Sequence, residues 1–456
     1  MNVLPVPSME DCLKAADETD ALVLEREGLK RIPGLLKAHY QFDAVFLAAD
    51  DHTFEKAGRA VELLLKDAGI PAAGSLVFPG EPRLHAEYAY AAEIVRRLRG
   101  AAAGTVVPVA VGAGTVNDLV KRAAAELGLP YLCVPTAASV DGFTSSGAAL
   151  LKDGFKQTLA CPAPRVLAAD TAILAGAPAY LSSSGFGDLA GKITAGTDWL
   201  IAEAAGSLGA PGTEPIDGFA WAMTQRGLRQ ALALSAGAVR GDGDAVNVLF
   251  RALSLTGFAM QYLKSSRPVS GCEHLYSHIW EMENLEFRGN PVTHGHKVAM
   301  GTLAAAAFTE IFFSPEKAPE PSPSRRLPGP AEREAEVRAA FKGMAAEEGA
   351  VKTALEKLLP GGAAAALGGA LRDNWKQIRE RVLEQLLPYG ELRALMERGG
   401  CPLRPEEIGL TRAKVIADSR RAQMIRKRYT VLDMAWDMGV FEDVLAGMEA
   451  SDSCLR

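Results

Sequence analysis

The sequence predicts an α/β domain followed by an all-α domain, and three observations carry that expectation. Short apolar runs alternate with amphipathic helical stretches over the first part of the chain. After about Pro178 the strand signals fade, and long stretches rich in Ala, Leu, Met and Arg take over. The chain has 456 residues, of which 48% are hydrophobic. That suffices for about two to three domains and a sizeable core.

The elements follow in order. DAVFLAA (43–49) is a short apolar strand, and TFEKAGRAVELLLKDAG (53–69) has helical spacing and a terminal glycine. SLVFPG (75–80) reads as strand, HAEYAYAAEIVRRLRG (85–100) as amphipathic helix, and TVVPVAV (105–111) as a third, buried strand. TVNDLVKRAAAELG (115–128) is the next helix, and PYLCVP (130–135) and RVLAAD (165–170) are further strands. Such alternation means βαβ units and a parallel sheet. AALLKDGFKQTLA (148–160) reads as a hairpin turning at Asp153-Gly154. The expected division is 1–176 as an α/β domain and 177–456 as a helical domain. SPEKAPEPSPSRRLPGPAERE (314–334) is too rich in proline and charge to build a core, so it is expected as an exposed insertion. GGAAAALGGA (361–370) is expected as a helix turn or loose connection.

Net charge is −6, with no basic segment, which argues against nucleic acid as a partner. No apolar run reaches the length of a membrane span, and the N-terminus lacks the pattern of a signal peptide. The six cysteines are widely spaced without a CxxC pair, as expected of a reduced, cytoplasmic protein. Cys272 is expected to pack rather than to bind metal.

Candidate metal ligands stand in separate segments. Asp188 lies in SGFGDLAGK, His274 and His278 in SGCEHLYSH, and His294 and His296 in VTHGHKVAMG. Of only seven histidines, four fall in the last two segments. Neutral imidazoles and a carboxylate suit a borderline divalent ion, and three protein ligands leave a position open for substrate. His294 and His296 are separated by one residue, so on a helix they point apart.

A second constellation lies at strand ends. The strand at 105–111 runs into GAGTVND (112–118), which opens a helix. Glycines there let backbone N–H groups approach a phosphate, and Thr115 and Asn117 can donate hydrogen bonds. The pattern is neither GxGxxG nor a Walker loop. Asp50 ends an earlier strand, where a carboxylate can bind a ribose and repel a 2′-phosphate, or can cap the following helix. PTAASVDGFTSSG (135–147) places small hydroxylic residues and Asp141 after the next strand.

Together GAGTVND, PTAASVDGFTSS, SGFGDLAGKITAGTDW, SGCEHLYSHIWEM, HGHKVAMGT and IRKRYTVLDMAWDMG resemble the sn-glycerol-1-phosphate dehydrogenases. The bacterial arabinose-operon branch is the nearest in pattern. These enzymes are related to glycerol dehydrogenases, iron-containing alcohol dehydrogenases and dehydroquinate synthases. The resemblance spans about residues 43–439, with the Pro-rich segment as a gap. It implies a Rossmann-like N-terminal domain, a helical metal domain and substrate bound in the cleft between them. It further implies that Gly112 and Gly114 to Asp118 (Thr115, Val116 and Asn117 included) line the dinucleotide, with Thr136, Ala137, Ala138, Ser139 and Ser145 also on the cofactor. Asp188, His274 and His294 would hold one divalent metal, zinc first, with nickel or iron as alternatives. Asp141 and His278 would contact substrate and serve catalysis, and Asp188 would also lie against it. Two departures stand out: GAG replaces the commoner GGG, and HGH the commoner HGE, which leaves the role of His296 open.

The implied reaction is reversible reduction of dihydroxyacetone phosphate with NAD(H), and NADP(H) as second cofactor, in a homodimer or larger homo-oligomer. The residues agree: a metal held by two histidines and one carboxylate keeps positive charge for polarising a ketone oxygen. Lys192, one helical turn after Asp188, is a candidate for the phosphate. Two alternatives share the fold, a glycerol or polyol dehydrogenase and a non-redox lyase of the dehydroquinate synthase type. The Gly-Lys-rich loop of the latter is missing from TAASVDGFTSS.

Overall fold

The computed structural model describes residues 5–81, 83–101, 104–152, 155–321 and 327–456. The chain forms two compact units. One comprises the residues up to 189 together with 222–265, and the other comprises 190–221 with 266–456.

The first unit is built on a six-stranded sheet. Its strands are β1 (Ala21–Glu25), β2 (Ala44–Asp50), β3 (Ala72–Phe78), β4 (Val106–Gly112), β5 (Leu132–Pro135) and β8 (Val166–Asp170), in the order β1-β8-β5-β4-β2-β3. Every pairing in it is parallel. The central strands are apolar throughout because helices cover both faces. Val107, Val109 and Val111 of β4 share one buried cluster with Leu132, Val134 and Ala168, and with Ile32, Leu36, Val61 and Leu65 from flanking helices. In the register of β4 and β5, Gly112 stands opposite Pro135, so both loops leave the sheet side by side. β1 has no counterpart in the sequence reading: it is five residues long and only half buried, at an edge. β6 (Ala148–Lys152) and β7 (Phe155–Leu159) pair antiparallel as expected, while the turn at Asp153-Gly154 lies outside the described residues.

Helix Gly243–Leu263 packs with this strand-bearing unit. Gln261 Nε2 donates to the Thr144 carbonyl at 2.6 Å and to Thr19 Oγ1 at 2.9 Å. A Cβ at Gly257 would lie 1.9 Å from Thr144 Oγ1, so only glycine allows the approach. The last strand of this sheet ends at Asp170. Composition cannot show that helices 222–265 join the unit that carries the sheet, because partners such as Thr144 and Gln261 lie far apart in sequence.

The second unit is helical apart from a two-stranded turn, β9 (Glu286–Phe287) with β10 (Asn290–Pro291). That turn joins helix Cys272–Met282 to helix His294–Phe312. Two expectations need correcting here. The segment 314–334, expected as a loop, ends inside helix Pro330–Ala340. Pro330 starts that helix with a preset φ, and Glu332 accepts the Gly329 amide at 2.9 Å. Residues 361–370, expected as a loose connection, lie within helix Gly361–Asp373. Leu367 and Leu371 are buried there, and Gly368 packs against the Asp437 carbonyl, which outweighs the helix cost of glycine. Among the described residues, no helix is long and apolar enough to cross a membrane.

Candidate metal and dinucleotide site

Asp188 sits near the middle of helix Ala179–Ser207, which is continuous. His274 and His278 lie four residues apart on helix Cys272–Met282, and therefore on one face. His294 is the first residue of helix His294–Phe312, whose N-cap Thr293 accepts the His296 amide at 3.3 Å. One oxygen of Asp188 and one ring nitrogen each of His274 and His294 lie within 4.8 Å of one another. Asp188 is fully buried and His274 nearly so.

Two carboxylates hold the imidazoles. Glu273 Oε1 lies 2.7 Å from His274 Nδ1, and Glu281 Oε1 lies 2.7 Å from His294 Nδ1. Nδ1–H thus donates to a carboxylate in each ring, which places the lone pair on Nε2. Burial would push the Glu273 carboxyl up, but hydrogen bonds from His274, Gly271 and Thr194 hold it below its ordinary range. The donor set fits one divalent cation: two neutral nitrogens, one anionic oxygen, and carboxylates behind the rings.

His278 stands beside this group rather than in it. Its ring lies 6.3 Å from that of His274, with Nδ1 at 3.4 Å from Glu281 Oε2. Burial pushes its imidazole down to about 3, so it is neutral. His296 is not in the group either, and burial lowers its imidazole to about 4. Cys272 is fully buried, and burial holds its thiol well above the usual range, so it packs rather than ligates. The Asp141 amide donates to Asp188 Oδ2 at 3.0 Å, which brings the 141–147 loop directly onto one of the three. Lys192 is fully buried one turn after Asp188.

At the strand ends, β4 passes through Gly112 into helix Gly114–Leu127. A Cβ at Gly112 would meet Val116 at 2.5 Å, and one at Gly114 would meet Val140 at 3.0 Å. Thr115 remains partly exposed, whereas Val116 and Asn117 turn inward. Asn117 Oδ1 accepts the Tyr131 hydroxyl at 3.0 Å, and Asp118 Oδ2 accepts the Ala149 amide at 3.2 Å. These two side chains thus brace the loop they stand on. The Thr136 amide donates to the Gly112 carbonyl at 3.1 Å, which ties the second loop to the first. Thr136, Ala137, Ala138 and Ser139 are buried, and Ser184 Oγ donates to the Ser139 carbonyl at 3.1 Å. Ser145 Oγ donates to the Gly142 carbonyl at 3.3 Å. Asp50 caps the helical turn after β2, with Oδ1 accepting the Thr53 amide at 2.7 Å.

The sequence reading passes over several residues that build this site. Lys121 is almost completely buried, and its ammonium donates to the carbonyls of Gly142, Ser145 and Gly147 at 2.8–3.0 Å. Helical periodicity puts it on the apolar face with Asn117 and Ala124, the one signal that marks it. Glu273 and Glu281 bear a weaker signal: they are carboxylates on the same helix as His274 and His278.

Comparisons with known proteins agree with this architecture. A family profile described as iron-containing alcohol dehydrogenase matches residues 23–178. The chain is 30% identical over 414 residues to "Glycerol-1-phosphate dehydrogenase [NAD(P)+]" of Geobacillus stearothermophilus, covering 91% of each. It is 37% identical over 266 residues to the protein of that name from Bacillus velezensis, covering 58% of this chain and 65% of the relative. Among solved structures it is similar to glycerol dehydrogenase from Schizosaccharomyces pombe, with a TM-score of 0.56 at 16% identity over 96% of this chain and 94% of that one. A probable glycerol dehydrogenase from Sinorhizobium meliloti gives 0.57 at 15% identity over 95% and 98%. At these identities the structural likeness concerns the fold alone. The match over nine-tenths of the Geobacillus stearothermophilus protein goes further, and the chain belongs to the glycerol-1-phosphate dehydrogenase family.

Proposed function

We propose that this protein catalyses reversible reduction of dihydroxyacetone phosphate to sn-glycerol 1-phosphate with NAD(P)H, NADH preferred. The observation that carries the proposal is the convergence of Asp188, His274 and His294, each histidine backed by a carboxylate, in a chain whose relatives bear that enzyme name. Those three residues are the proposed holders of one divalent ion, for which zinc, nickel and iron are all chemically suited. When bound, the ion supplies positive charge that polarises a ketone oxygen, and the reduced nicotinamide supplies the hydride.

The chain's own side chains do the rest. Glu273 and Glu281 keep His274 and His294 in one tautomer and one orientation. His278, one helical turn after His274 with its ring 6.3 Å away, orients the substrate oxygens. Asp141 moves a proton to or from the substrate through a hydroxyl or water relay. The loops 112–118 and 136–139, with Ser145, receive the dinucleotide, and Lys121 fixes the shape of the 141–147 loop that follows by holding three of its carbonyls.

Steady-state NADH oxidation with dihydroxyacetone phosphate and with dihydroxyacetone tests the reading. A large preference for the phosphate is expected, and equal efficiency with both ketones would replace the proposal with a polyol dehydrogenase. His274→Ala should lose metal and activity while keeping its helical circular dichroism; full metal occupancy in that variant rules out the ligand set.

A further inference from the structure

We infer that Arg426 binds the substrate phosphate, and so separates a phosphorylated triose from its unphosphorylated counterpart. The inference rests on the function proposed above and adds a specificity residue to it.

The segment 425–430 joins helix Arg412–Met424 to helix Val431–Asp437 and carries three cations in a row. Arg428 is committed inside the fold, where Nη1 donates to the Ser270 carbonyl at 2.6 Å and Nη2 to Ser266 Oγ at 2.9 Å. Lys427 pairs with Glu356 at 3.6 Å. Arg426 differs from both. Among the described residues it makes no ion pair, and its one polar contact is Nη2 to His278 Nε2 at 3.5 Å. It is solvent-exposed, so an incoming anion can reach it.

Its neighbours explain why the charge is unmatched. His278 directs Nδ1 at Glu281 and turns Nε2 toward the guanidinium, so it brings a ring nitrogen rather than a carboxylate to Arg426. Glu281 is the nearest carboxylate of this cluster, and it already serves His294 at 2.7 Å, His278 at 3.4 Å and Lys297 at 3.6 Å. A guanidinium left without a carboxylate has nitrogens to offer a phosphate in a bidentate pair.

The distances suit the substrate. His278 neighbours both residues, with Nε2 3.5 Å from Arg426 Nη2 and its ring 6.3 Å from that of His274. In dihydroxyacetone phosphate only one carbon and one oxygen separate the carbonyl carbon from phosphorus. A carbonyl held at the ligand group therefore leaves its phosphate within about a side chain's length, where Arg426 stands. Lys192, the cation closest in sequence to Asp188, is fully buried and less suited to meet a solvated dianion.

The backbone points the same way. Arg426 has φ +59°, in the left-handed region that glycine or asparagine occupies at little cost. A glycine would meet that backbone geometry at lower cost, so the turn itself does not call for an arginine.

The test uses the metal-loaded enzyme and three variants. Arg426→Gly removes the cation and suits the left-handed backbone, Arg426→Lys keeps a charge without the fork, and Lys192→Ala probes the rival cation. Kinetics with both ketones are paired with calorimetric titration of dihydroxyacetone phosphate and of inorganic phosphate. In Arg426→Gly the KM and the calorimetric Kd for dihydroxyacetone phosphate should rise about a hundredfold, the preference over dihydroxyacetone should collapse, and competitive inhibition by inorganic phosphate should disappear. Metal content and the unfolding midpoint should match wild type, and Arg426→Lys should recover part of the loss. A KM for the phosphorylated ketone in Arg426→Gly within about threefold of wild type overturns the inference, as does a collapse of preference confined to Lys192→Ala. A wild-type enzyme indifferent to the phosphate fails earlier, and identifies the proposed function itself as the error.

Discussion

At the carboxyl end of β2, Asp50 accepts the Thr53 amide through Oδ1, and Thr53 Oγ1 accepts the Asp50 amide in return at 3.1 Å. A capping carboxylate keeps its second oxygen and its charge, so capping and repulsion of a 2′-phosphate are compatible in one side chain. The two roles separate by substitution. Asparagine caps as well as aspartate but is uncharged, so Asp50→Asn should leave the unfolding midpoint nearly unchanged. Its kcat/KM with NADPH relative to NADH should rise on the order of tenfold, as removal of one close repulsive charge implies. Asp50→Ala should show the same change and also lose about 1 kcal/mol of stability with the cap. An NADPH to NADH ratio in Asp50→Asn equal to wild type would assign the residue to capping alone. Asn117 and Lys121 show the opposite case, in which polar side chains beside a ligand loop are spent on holding the loop together.

The helices that carry His274 and His294 touch backbone to backbone. A Cβ at Gly301 would lie 2.3 Å from the Glu273 carbonyl oxygen, closer than real atoms come, and neither helix can yield locally. Gly301→Ala should therefore push helix His294–Phe312 away from helix Cys272–Met282, at a cost of about 1–3 kcal/mol. The ligand group spans both helices, so metal affinity should fall by more than the loss of stability alone explains. Metal titration alongside denaturant unfolding measures the two effects on the same variant, and unchanged metal affinity would show that helix spacing does not set the site. Gly369 is the control, because nothing lies within 4 Å of a Cβ there. Gly369→Ala should stabilise helix Gly361–Asp373 by about 0.5–1 kcal/mol and leave the metal untouched.

Binding and folding are linked across the whole chain. An ion held as proposed by Asp188, His274 and His294, on three helices, would bind the folded state and find no such arrangement in the unfolded one. At a hundredfold excess over its dissociation constant it should stabilise the protein by about 2.7 kcal/mol. Chelation should accordingly lower the unfolding midpoint of wild type by several degrees, and re-addition of zinc, nickel or iron should restore it. The same treatment of His274→Ala should shift nothing. An equal shift in wild type and variant would place the stabilising ion elsewhere.

Local patterns in the chain were enough for five of the six strands of the sheet and for the strand-to-helix turn at Gly112, and they picked out the residue types proposed for metal and dinucleotide. Buried strands must be apolar, tight turns need glycine, and few side chains ligate metals, so each leaves a mark within a short window. The helix Gly361–Asp373 escaped the same reading because its glycines oppose it locally and only packing decides. Tertiary structure alone determined that Glu273 and Glu281 orient the histidines, that Lys121 holds three carbonyls, that residues 222–265 join the unit that carries the sheet, and that Arg426 stands one imidazole from His274. Those relations join residues that are distant in sequence or distinguish one ring nitrogen from the other. No window of neighbouring residues encodes them, because the energy that selects them is paid in contacts formed only after the chain has folded.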